Sequence, residues 1–192
     1  TVFGGYTANQ TWMTGALRIA TLPKYGLKYR VGFGYASVNL DFYRDIPVKG
    51  ETKFPFNFKT APIFGSLTKE IGNTNIYAGV EYLFMKTEVT PEFGGTLPDF
   101  IEDKSLETVQ SSPGVVVEYD GRSSVFTPDK GTFVSANFRV NANWTGSDFE
   151  YENLKVYMLQ YFQTTSQWVS GFRLETQQQF GNAPFYLEPG LN

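Results

Sequence analysis

The feature that most constrains this chain is a two-residue alternation of apolar and polar side chains, sustained over long stretches. It is clearest at residues 132–144. Val134, Ala136, Phe138, Val140, Ala142 and Trp144 fall on one side, and Ser135, Asn137, Arg139, Asn141 and Asn143 on the other. Successive strand side chains point to opposite faces, so this segment has one apolar face and one strongly polar face. Helical spacing is almost absent, and the chain is expected to be all-β.

The alternation recurs. Ile76, Ala78, Val80, Tyr82 and Phe84 oppose Tyr77, Gly79, Glu81 and Leu83. Leu154, Val156, Met158 and Phe162, interrupted by Gln160, oppose Lys155, Tyr157 and Tyr161. Phe172 and Leu174 oppose Arg173, Glu175 and Gln177. Leu27, Tyr29, Val31, Phe33 and Tyr35 alternate with Lys28, Arg30, Gly32 and Gly34, and then the phase slips, with Val38, Leu40 and Phe42 apolar. A β-bulge near Ala36 would produce such a slip. Phe54, Phe56 and Phe58 also alternate, but Pro55 and Pro62 weigh against a central strand there.

The resulting map has about nine strands, at residues 2–8, 11–21, 27–43, 53–69, 75–91, 110–121, 132–144, 153–164 and 167–180. Connections at 23–26, 72–75 and 164–166 are short, whereas 45–52 and 93–107 are longer and more polar. Short turns at one rim and longer loops at the other suit an outer-membrane barrel. Residues 99–109 admit either a helical turn or two, with Asp99 as cap, or a plain loop.

Alternation alone does not separate a membrane barrel from a soluble β-barrel of lipocalin size that binds an apolar ligand. Three features favour the membrane. About ten alternating residues per strand are enough to cross a hydrocarbon layer. Trp144 caps an apolar face as an interfacial girdle residue would, and the opposite faces carry Arg, Glu, Asn and Gln in rows, as a wet lumen requires. Aromatic residues make up 17% of the 192 positions, with 18 Phe and 12 Tyr, which fits such girdles. No apolar run reaches the roughly eighteen residues of a membrane helix.

The absence of cysteine and histidine removes disulfides, thiolate metal sites, the usual triad base and the commonest metal ligand. No Gly-rich phosphate loop is present. Neither an enzyme nor a cofactor is expected. A net charge of -3 without a basic stripe gives no reason to expect a nucleic-acid partner. Bacterial single-chain barrels close with an even number of strands. About nine are therefore expected to form part of one outer-membrane barrel domain spanning 1–192, with strands missing at both ends.

A family resemblance rests on Tyr119-Asp120-Gly121-Arg122, then Phe126-Thr127-Pro128-Asp129-Lys130-Gly131-Thr132, and finally Pro184-Phe185-Tyr186-Leu187. Residues 115–192 resemble the barrel of the BamA/TamA-like family, the bacterial surface antigens. The resemblance implies a bacterial outer-membrane location and a role in insertion, assembly or translocation of envelope proteins, or in anchoring a separate domain. It also implies that residues 122–131 face the periplasm. The implied partners are outer-membrane lipids or lipopolysaccharide, and envelope protein clients. A simple porin-like channel is a further alternative.

The candidate sites follow from these readings. Asp120, Arg122, Pro128 and Gly131 form a periplasmic turn motif, in which an ion pair and a permissive glycine order the chain. Asn137, Arg139, Asn141, Arg173, Glu175 and Gln177 are expected to line the lumen. Ile76, Val80, Tyr82, Phe84, Val134, Phe138, Val140, Trp144, Val156, Met158, Phe172 and Leu174 are expected to face lipid. Glu81 and Glu118 are isolated carboxylates with no evident partner for acid/base work. Asp99, Glu102 and Asp103 lack the spacing of a calcium loop and are expected to be solvated.

Overall fold

A computed structural model of the chain describes residues 1–46, 50–94, 106–184, 186 and 187. Nine strands run in chain order: β1 (Val2–Tyr6), β2 (Trp12–Leu22), β3 (Leu27–Ile46), β4 (Gly50–Glu70), β5 (Ile76–Pro91), β6 (Glu107–Asp120), β7 (Gly131–Asn141), β8 (Tyr151–Gln163) and β9 (Val169–Gly181). Each pairs antiparallel with the next, giving a single up-and-down sheet. β1 and β9 do not pair with each other, so the ring is not closed among the described residues. Those residues carry no α-helix, only short 3-10 turns at Pro23–Tyr25 and Asn143–Thr145. Among the described residues no helix is long and apolar enough to cross a membrane.

The expected strands are all present, but several details differ. Of the expected loop at 45–52, residues 45–46 and 50–52 are strand, since β3 reaches Ile46 and β4 starts at Gly50; residues 47–49 lie outside the described residues. β7 stops at Asn141, and Trp144 lies in the 3-10 turn that follows, 78% exposed. The turns at 23–26, 71–75 and 164–168 share a rim with the longer connection 121–130, so that rim is not uniformly short. The acidic trio Asp99, Glu102 and Asp103 lies outside the described residues, as do positions 99–105 of the proposed helical turns. Within that stretch, residues 107–109 are strand.

No bulge occurs at Ala36. Phe33 pairs with Ile63 and Ala36 with Thr60, so the register between β3 and β4 is unchanged across the phase slip. β4 is also a central strand despite its prolines, paired with β3 on one side and β5 on the other. Pro62 has no N–H to give. The ladder accommodates it by leaving the two positions between the Phe33 and Ala36 pairs unbonded on the β3 side.

Because the register is continuous, what changes at Ala36 is the polarity of the two faces. Below it, one face of β3 carries Leu27, Tyr29, Val31, Phe33 and Tyr35, and the other carries Lys28 and Arg30. Above it, Ser37, Asn39 and Asp41 continue the first face, while Val38 and Phe42 continue the second. The exchange repeats on neighbouring strands in matching register. On β4 the first face changes from Leu67, Ile63 and Ala61 to Lys59 and Asn57, and on β5 from Val80, Tyr82 and Phe84 to Lys86 and Glu88. The second face gains Phe58, Phe56 and Phe54 on β4 and Val89 on β5, which form a buried cluster with Val38, Phe42, Phe93, Leu106 and Tyr186. Edge-on ring contacts hold it together, with Phe56 5.6 Å from Phe42 and 5.2 Å from Phe93.

Candidate functional site

The face that carries Lys28 and Arg30 is concave. Arg30 of β3 passes over β4 and β5 to pair with Glu118 of β6, and Lys28 Nζ donates to Asp120 Oδ2 at 2.9 Å. Contacts that skip two strands require the sheet to curl around that side. Across β6, Arg139 Nε and Asn137 Nδ2 of β7 donate to the two carboxylate oxygens of Glu81 on β5, at 2.7 and 2.8 Å. On β8 and β9, Glu175 takes Lys155 Nζ at 2.6 Å and pairs with Arg173. Glu81 and Glu118, which look isolated in the sequence, are therefore the two carboxylates that tie distant strands together. Glu118 is 2% exposed. Burying a charge to this extent is costly unless it is paired, and here the partner is Arg30.

The lower end of the concave side encloses a cavity of about 160 Å³ between the ion pairs and the side chains of Ile19, Phe133, Tyr157 and Leu159. Above it lies a space of about 280 Å³ bordered by Arg30, Phe64, Glu81, Asn137, Arg139 and Lys155. In every pair a carboxylate balances a cation. The arrangement restrains curvature and gives the concave face a polar, ion-paired lining in which Asp120 and Glu175 each serve two cations. Among the described residues no group of three or more acidic side chains could hold a metal.

The turn motif sits at the lower rim. Arg122, just past β6, grips Asp120 with a two-pronged contact, Nε to Oδ1 at 2.8 Å and Nη2 to Oδ2 at 3.0 Å. Its guanidinium carbon lies 4.4 Å from the Phe133 ring centre. The hydrogen bonds it donates to Asp120 raise the Arg122 pKa above its ordinary value, so the guanidinium stays charged. Pro128 and Gly131 do not make a tight two-residue turn. Pro128 lies in the ten-position connection 121–130 and Gly131 opens β7 directly after it; the connection is closed by Ser123 N–H donating to the Lys130 carbonyl at 3.0 Å. Inside it, Ser123 Oγ donates to Asp129, which holds that carboxyl below its usual range. Gly131 has φ +106°, and a Cβ there would lie 2.2 Å from the Gly121 carbonyl oxygen. Only glycine fits this position.

No protein-family model matches the chain, and no curated protein matches it.

The register places Asn137, Arg139, Asn141, Arg173, Glu175 and Gln177 on the concave face with Glu81 and Glu118. Ile76, Val80, Tyr82, Phe84, Val134, Phe138, Val140, Val156, Met158, Phe172 and Leu174 stand on the opposite, convex face. Trp144 follows β7 in its turn. Sequence reasoning did not single out Lys28, Arg30 or Lys155, and it left Glu81 and Glu118 as isolated carboxylates. Their alternation parity was readable, but the curl that joins them was not. The aromatic run Phe54, Phe56, Phe58 was visible, though not the side it would occupy.

Proposed function

We propose that this chain forms the wall of a transmembrane outer-membrane β-barrel of the BamA/TamA type, acting in insertion, assembly or translocation of envelope proteins or as a membrane anchor. The observation that carries the membrane part is the exchange of face polarity along β3, β4 and β5. A sheet in uniform solvent keeps one apolar face from end to end. Here the convex face is apolar over only a band and turns polar above it, while the concave face does the reverse. That is the pattern of strands that leave a lipid layer: convex side chains meet lipid within the band and water beyond it.

The dimensions agree. On β3 the band runs from Leu27 to Tyr35. Eight steps of about 3.4 Å, tilted by about 40°, give a height of about 20 Å, near the roughly 25 Å apolar band of membrane barrels. β3 and β4 have 20 and 21 residues, about twice the 9–11 needed to span. The surplus stands above the band, where the aromatic cluster gives the hairpin a core of its own.

Aromatic side chains mark the margins of the band. Trp12 packs against Tyr35 at its upper edge, with ring centres 5.5 Å apart. Among the described residues the buried apolar side chains are few, while Val80, Val115, Leu67 and Leu174 are all about half exposed or more. In water such a surface would drive association. The link to envelope-protein assembly rests on the turn motif from Tyr119 to Gly131, which the resemblance implies lies at the periplasmic rim.

The chain has no cysteine, so a single introduced thiol is labelled uniquely. Environment-sensitive fluorophores on Val80→Cys, Phe138→Cys and Leu174→Cys should be quenched by brominated lipid in reconstituted vesicles, whereas those on Asn39→Cys and Lys59→Cys should not. Equal quenching at all five positions, or a folded monodisperse protein without detergent, would overturn the membrane reading. For the assembly role, disrupting the motif with Asp120→Ala should lower the yield of folded client barrels in cells carrying this protein as their only copy. An unchanged yield would remove that role and leave the membrane wall.

A further inference from the structure

Cations on the convex face are distributed unevenly. Above the apolar band they meet carboxylates: Lys53 Nζ lies 2.7 Å from Asp41, Lys86 Nζ 2.8 Å from Glu107, and Lys59 faces Glu88 in register. At the lower margin they do not. Arg18 pairs in register with Val31, which places it on the convex face between Ala16 and Ala20. Its guanidinium carbon lies 5.9 Å from the Tyr29 ring centre, its only interaction among the described residues. Lys69 shares this face, next to Leu27 and diagonal to Tyr29, and has no carboxylate partner among the described residues. Lys24, in the turn just below, lies 5.6 Å from the centre of the Tyr25 ring.

An arginine on a lipid-facing wall is unfavourable by about 2–4 kcal/mol at mid-bilayer and nearly neutral at the interface. Arg18 is four residues from the end of β2, within reach of the rim for a side chain that extends along the apolar surface. It still needs an anion, and the convex faces of β1 to β4 offer no carboxylate below the band. Two tyrosines beside three unpaired cations form an amphipathic patch at headgroup depth.

We infer that Arg18, Lys24 and Lys69, flanked by Tyr25 and Tyr29, bind the headgroup phosphate of an anionic glycerophospholipid in the leaflet at the lower rim. The inference rests on the membrane reading above. The phosphate supplies the negative charge that the convex face lacks at this margin and carries above the band, and the acyl chains lie along Ala16, Ala20 and Val31. Lipid chemistry fits better than a protein partner because the patch is continuous with the apolar band and lies across the wall from the ion-paired concave face.

Native mass spectrometry of the intact protein, released from detergent with dioleoylphosphatidylglycerol added, tests this. Wild type should retain the lipid and prefer it to dioleoylphosphatidylcholine. Arg18→Gln should weaken retention about fivefold, and so should Lys24→Gln, which sits in an exposed turn where folding is not at stake. The triple variant with Lys69→Gln should lose the preference, and Lys53→Gln, at the other margin, should not change it. Retention that ignores all three lower cations, or equal retention of the two lipids by wild type, would overturn the inference. Fluorophore quenching in the same preparations separates the two failures. Quenched wall positions with unaltered lipid retention discard only this site, and unquenched positions discard the membrane reading itself.

Discussion

Arg30 and Glu118 are 88 residues apart in the sequence and paired across the concave side of the sheet. The pair joins β3 to β6 over two intervening strands, so it restrains curvature rather than local register. Glu118→Leu would leave Arg30 facing a polar interior with one partner gone. Arg30→Met is more severe, because it leaves a carboxylate that is 2% exposed without its cation. Arg30→Met should destabilise by about 3 kcal/mol, and the double variant Arg30→Met/Glu118→Leu should recover most of that loss. Guanidinium unfolding of the reconstituted protein, followed by tryptophan fluorescence, reads both. A double variant no more stable than Arg30→Met would show that the two residues do not act as a pair.

Gly131 offers a test of the turn. Its φ of +106° and the 2.2 Å approach of a built Cβ to the Gly121 carbonyl oxygen leave no room for a side chain. Gly131→Ala should destabilise by about 2 kcal/mol or more, since a non-glycine residue here meets both backbone strain and a clash. Pro128→Ala, in the same connection, should cost well under 1 kcal/mol. If the two variants have equal unfolding midpoints, the geometry at Gly131 is not as described.

Phe56 is the centre of the aromatic cluster above the band and is 1% exposed. Phe56→Ala should cost about 3–4 kcal/mol locally. The loss should be confined to the upper ends of β3, β4 and β5, because the band below is held by different contacts. Hydrogen exchange should speed up at Phe54, Phe58 and Val89 and stay unchanged at Val80 and Ala78. A uniform rise along β5 would mean that the upper cluster and the band unfold as one unit.

The fold was largely legible because parity survives in the sequence. At residues 76–84 and 132–141 one face is apolar and the other polar, and register turns each such segment into a wall with two distinct sides. Parity does not say where the polarity of the two faces changes over. The switch after Ala36 looks like an inserted residue, since a bulge and an exchange of face polarity leave the same trace in one strand. Only the paired strands resolve it. Glu81 and Glu118 were obscure for a related reason. Their faces were readable, but their partners Arg139 and Arg30 lie 58 and 88 positions away, and curvature is a property of the whole sheet. The lower-rim motif was legible in its residues and not in its form, because Arg122 folds back on Asp120 after the strand has ended.

The exchange of faces gives one prediction that separates lipid from water directly. Val80 is 60% exposed on the convex face. If water covers it, Val80→Arg changes little, since a surface arginine is well solvated there. If lipid covers it, the same change should cost about 2–4 kcal/mol, because it lies near the middle of the band. Asn39→Arg, on the same face above the exchange, should be close to neutral in either solvent. The difference between the two variants therefore reports the environment and not the residue introduced. It should shrink as an arginine is moved from Val80 toward Phe84 and vanish by Glu88, giving the level of the interface along β5. A flat profile along those positions would mean that the exchange of polarity has some other cause.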